Sequence, residues 1–75
     1  MSFEYNENTC SEIIKFYSGK IQEISRDIED LSSKIDTQTD QVVVDAMNEY
    51  CNDRKQEIQK YQSRIEKFKG MLGSQ

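Results

Sequence analysis

The chain has 75 residues, of which 35% are hydrophobic and 32% charged, with no proline, tryptophan or histidine, and its net charge is −4. That length supports one small domain at most, and so polar and proline-free a composition suits long, solvent-washed helices rather than a thick globule. Net acidity argues against direct nucleic-acid binding, which needs a basic surface to displace counterions. The longest apolar run, Val42-Val43-Val44, is far too short for a membrane span or secretory signal, so a cytoplasmic location with no membrane partner is expected, signal-less export remaining compatible.

Residues 1–8 have no periodicity and read as an N-terminal arm. Thr9 followed by Glu12 has capping-box spacing, in which each side chain satisfies an orphan amide at a helix start, so the first helix is expected over 9–35. Through it apolar side chains recur at Cys10, Ile14, Tyr17, Ile21, Ile24, Ile28, Leu31 and Ile35. The alternating steps of four and three are the a/d seam of a coiled coil, which buries its side chains only against another helix. Glu12 with Lys15, Glu23 with Arg26 and Asp30 with Lys34 stand at helical spacing outside the seam, each pair worth a few tenths of a kcal/mol.

The polar run Asp36-Thr37-Gln38-Thr39-Asp40 has weak helix propensity and several cap candidates, and predicts a turn over 36–40. The seam resumes over 41–72 at Val44, Met47, Cys51, Arg54, Ile58, Tyr61, Ile65, Phe68 and Leu72, with its heptad displaced by two relative to the first. One continuous straight helix would carry that stripe around to another face, so a break between two helices is the simpler account. Gly73 is expected to end the second helix, Gly70 to loosen its last turn, and 73–75 to form a short tail.

The expected fold is therefore all-α: an antiparallel two-helix hairpin, coiled-coil-like, that completes a helical bundle by association. A turn centred on Gln38 pairs residues whose numbers sum to about 76, which sets Glu4, Glu7 and Glu12 beside Arg64, Lys67 and Lys69, and Phe3 and Tyr5 near Met71 and Leu72. Cys10 and Cys51 then lie most of a helix length apart, beyond disulfide reach, and read as small seam residues of a reducing compartment. Two helices along one seam leave each seam side chain half covered, and crude accounting for so small a scaffold comes out near zero.

A second apolar stripe suggests where further burial comes from. Ile13, Val43, Tyr50 and Met71 occupy position g beside the seam and Phe16 position c, which widens the face as in a helix with more than one neighbour. Arg54 is the charged exception within the seam, costing stability while fixing register or partner choice, with Glu23 or Asp27 within its reach. Ile13, Phe16, Val43, Tyr50 and Arg54 are accordingly the candidate partner-binding residues.

Nothing in the chain resembles a reaction centre. With no histidine and two distant cysteines there is no metal site, catalytic site or cofactor motif to assign, and the carboxylates fall on exposed helix faces. Charge is unevenly spread: nine acids against Arg26 and Lys34 give −7 over Glu23–Asp53, whereas six bases against Glu57 and Glu66 give +4 over Arg54–Lys69. Most such runs are ordinary solvated faces. The shape is similar to that of the short helical partners of type VII secretion, of secretion chaperones and of phage assembly proteins, as an analogy of architecture alone. The tryptophan-bearing turn of the type VII partners is missing, as is any tyrosine after Tyr61.

The expected function is a non-enzymatic protein–protein interaction module, acting as adaptor, chaperone or small subunit of a helical assembly, through a foreign partner or self-association. The alternative is an acidic decoy whose turn end (Asp30, Asp36, Asp40, Asp45, Glu49) occupies a basic, nucleic-acid-type site on a target protein.

Overall fold

The computed structural model describes residues 7–73. They form two α-helices, α1 (Glu7–Ile35) and α2 (Gln41–Gly73), folded back on one another as an antiparallel hairpin with no strand among the described residues. The result is a rod of 59 × 19 × 15 Å, one helix pair thick. The register can be read from side-chain contacts. Asp27 meets Tyr50 and Tyr17 stacks on Tyr61, pairs whose numbers sum to 77 and 78, one or two residues along from the value expected for a turn centred on Gln38.

Burial follows the seam. Among the described residues the buried side chains are Cys10, Ile24, Cys51 and Ile65, and all four are seam positions, while the other seam residues are half-covered. A rod of two helices has no layer beyond the seam, so solvent reaches the flank of nearly every apolar side chain. Aromatic contacts thicken the open end: Tyr17 stacks on Tyr61 with ring centroids 5.3 Å apart, Phe68 lies 6.5 Å from Tyr17, and Phe16 meets Tyr17 edge-on at 5.8 Å. Arg64 lays its guanidinium over both tyrosine rings, 5.7 and 6.0 Å from their centroids. Cys10 and Cys51 are free thiols.

The connection is built from its own polar groups. The backbone amides of Thr37 and Gln38 donate to the carbonyls of Lys34 and Ile35, which tightens the end of α1. The Gln38 side-chain oxygen then accepts from the amides of Thr39 and Asp40, at 3.2 and 3.3 Å. Asp40 is the N-cap of α2: its Oδ1 accepts from the Val42 amide at 3.0 Å, while its carbonyl accepts the first helical bond, from Val44. Such a cap satisfies an amide that has no partner within the helix and places negative charge at the helix's positive end.

Several expectations are corrected. Helix α1 is already formed at Glu7, two residues ahead of Thr9. Cys10, only 1% exposed, therefore sits one turn inside the helix, where its side chain leans over the preceding turn. At the other end, α2 includes Gly73, and no described glycine has a positive φ, so Gly73 is a helical residue and not the left-handed cap expected of it. Glu23 pairs with Lys20, at 3.8 Å, rather than with Arg26. The contacts expected of Phe3, Glu4 and Tyr5 lie outside the described residues.

Candidate interaction face

Because Asp27 and Tyr50 both occupy position g of their heptads, their contact shows that the g flanks of the two helices lie on one side of the rod. Among the described residues the exposed large apolar side chains belong to that side: Phe16 at 61% exposure, Val42 at 77%, Val43 at 38% and Tyr50 at 43%. Ile13 is half-buried. At the turn end, Leu31 from α1 and Val42, Val43, Ala46, Met47 and Tyr50 from α2 line an open, apolar groove of about 470 Å³. The structure thus brings Val43 and Tyr50 together, and leaves Ile13 and Phe16 towards the open end.

The groove exists because α2 departs from a strict two-stranded pattern in its first two turns. Val44 and Met47 point into the seam, but Val42, Val43 and Ala46 spread the apolar arc over positions f, g and c. A helix with so wide an arc has more apolar surface than a single neighbour covers.

A polar cluster closes the groove on the side away from the turn. The Tyr50 hydroxyl donates to Asp27 Oδ2 at 2.8 Å. Arg54 places its Nε 3.4 Å from the same oxygen, and its Nη1 donates to both Glu57 carboxylate oxygens, at 3.2 and 3.3 Å. The Arg54 guanidinium also stands 5.8 Å from the centre of the Tyr50 ring. Of the two acids within its expected reach, Arg54 therefore takes Asp27. Its Nε is buried without a hydrogen bond of good geometry, which marks the pair as fitted to its neighbours rather than ideally bonded.

The cluster shifts two titrations. The hydrogen bond to Asp27 holds the Tyr50 phenol above its ordinary value, with desolvation adding to it, because ionisation would leave two anions facing one another. For Arg54, burial works against the charge, but Tyr50, Glu57 and Asp27 outweigh it, and its pKa is raised. Both effects keep Tyr50 a neutral donor and Arg54 a cation, and Tyr50 lines the groove beside this pair.

The turn-end acids are not one site. Asp40 is occupied as the cap of α2, and Asp45 accepts from the Gln41 side-chain amide at 2.9 Å. Asp30, Asp36 and Glu49 are exposed. Among the described residues no group of three or more His, Cys, Asp or Glu could hold a metal ion, and no helix is long and apolar enough to cross a membrane.

Sequence reasoning missed Leu31, Val42, Ala46 and Met47 as surface-forming residues, and Asp27 as the anchor of Tyr50. The Val42-Val43-Val44 run carried the signal, since three consecutive apolar residues on a helix cannot all face one neighbour. The chain matches no protein-family model, no curated protein and no solved structure.

Proposed function

We propose that the protein is a non-enzymatic interaction module that works by packing a helix of a partner protein against the g flank of its hairpin. The observation that supports this reading is the one-sidedness of its exposed apolar surface: Val42, Val43 and Tyr50 converge with Leu31, Ala46 and Met47 in one groove. The opposite flank of α2, at Asn48, Lys55, Gln62 and Lys69, is polar and exposed. A groove between two antiparallel helices is the natural seat of a third, whose axis would run about 8–10 Å from each.

A photo-crosslinking amino acid placed at Ala46, inside the groove, and separately at Gln62, on the opposite flank, tests the reading in cells that make the protein. The module predicts protein adducts at 46 that disappear with Tyr50→Ala, and none at 62. Equal adduct yields at the two positions, or none at either, would remove it.

A further inference from the structure

We infer that the groove takes a basic amphipathic helix, one whose apolar face is bordered by lysines or arginines. This deepens the interaction-module reading and rests on it. Apolar lining and acidic banks occur together at the turn end of the rod. On α1, Asp27 and Asp30 border Leu31; on α2, Glu49 stands three residues beyond Ala46 and Asp53 three beyond Tyr50, which helical spacing places on the same side. Of the nearby bases, Arg54 is already bonded to Asp27, and Arg26 and Lys34 stand on the α1 side. Asp30, Glu49 and Asp53 are exposed, and Asp27 keeps 39% of its side-chain surface open beyond its bonds to Tyr50 and Arg54.

The geometry sets the size of the occupant. From Val43 to Tyr50 the α2 bank rises by seven residues, about 10 Å at 1.5 Å per residue, so about two turns of a docked helix span it. Their apolar residues would fill the groove between Leu31 and Met47 against the Tyr50 ring. Bases on both borders of that apolar face would stand over the acids of both banks. Partial desolvation beneath the docked helix strengthens these pairs, and their long-range attraction steers its approach.

A second copy of this chain is the poorer occupant. Groove on groove would set the same acids against one another, and the two bases nearest the α2 aromatic residues are tied within the chain: Arg54 to Asp27 and Glu57, and Arg64 over Tyr17 and Tyr61. An anionic lipid surface would be repelled by the same banks.

The probe is an idealised Leu/Lys amphipathic peptide of about 18 residues, five turns, with the Leu/Glu peptide of the same pattern as control. Each is titrated into the full chain carrying isotope-labelled methyl groups. The inference predicts that Leu/Lys shifts the methyls of Leu31, Val42, Val43, Ala46 and Met47 and spares Ile58 and Ile65, while Leu/Glu shifts none. It also predicts roughly tenfold weaker binding when salt is raised from about 0.05 to 0.5 M. Val43→Gln with Ala46→Gln, both at exposed positions, should weaken binding about tenfold or more while helicity is retained, by loss of apolar contact alone. Ala46→Gln by itself serves if the double variant does not fold.

Unchanged affinity in the glutamine variants, or shifts spread along the acidic surface, would show simple charge attraction and overturn the inference. Equal binding of Leu/Glu, or the same methyl shifts produced by concentrating the chain alone, would overturn it in favour of another occupant or a second copy. Failure of Leu/Lys to bind with adducts at position 46 retained removes the basic helix and leaves the module. Loss of both removes both.

Discussion

Replacing Ile24 by alanine tests whether the seam alone carries the fold. Ile24 is 3% exposed, and truncation removes three carbons from between the helices. At about 0.8 kcal/mol for each buried methylene-sized group, the transfer loss is about 2.4 kcal/mol. Cavities usually add to this, but a rod one helix pair thick closes readily around a missing side chain, so the total should be about 2–3 kcal/mol, low in the range for such truncations. A typical domain of this length has about 4–11 kcal/mol in all, and a two-helix scaffold belongs at the bottom of that range.

The melting midpoint should therefore fall by about 10–20 °C, at about 4–8 °C per kcal/mol. Circular dichroism at 222 nm against temperature and urea reads this directly. Phe16→Ala is the control. Its ring is 61% exposed, so its removal should change stability by no more than about 0.5 kcal/mol. If Phe16→Ala costs as much as Ile24→Ala in the isolated chain, the exposed flank is part of a buried core and the reasoning from the single hairpin fails.

Two further outcomes follow from the cluster around Arg54. Arg54→Leu should leave the melting midpoint unchanged or raise it, because an apolar seam residue replaces a half-buried cation; unfolding of this variant in circular dichroism would instead mean that the ties to Asp27 and Glu57 hold the hairpin together. Since the Tyr50 phenol is raised above 10.0 in the folded chain, the folded state holds its proton more tightly than the unfolded one. The resulting stability is complete below pH 10 and is lost as pH rises through the folded value. Urea midpoints should accordingly fall more steeply in the alkaline range for the native chain than for Tyr50→Phe, and identical pH profiles would refute the coupling.

The hairpin was legible because two kinds of signal agree: a seam that changes phase, and five polar residues at the change. The helix start was less legible. Thr9 and Glu12 have the spacing of a cap, yet the helix already includes Glu7 and Asn8, so cap spacing alone did not place its start. Similarly, Arg54 could be seen to need an acid, but register alone sets residue 23 or 24 opposite it; Asp27 is chosen because it lies on the g flank beside Tyr50, whereas Glu23 stands further out and pairs with Lys20. The groove was half legible. Val43 and Tyr50 fell off the seam on one flank, whereas Leu31 and Met47 are seam residues by spacing and are left partly open because the turn end has no third helix over it.

The elongation of the rod changes how its mass is perceived. A radius of gyration of 17.2 Å compares with about 11 Å for a compact chain of the same length. Friction in solution follows the long axis, so a single hairpin migrates through a sizing column as a considerably heavier sphere would. An early elution peak is thus what one chain produces unaided, and stoichiometry has to come from measurements that weigh the particle instead of sensing its outline.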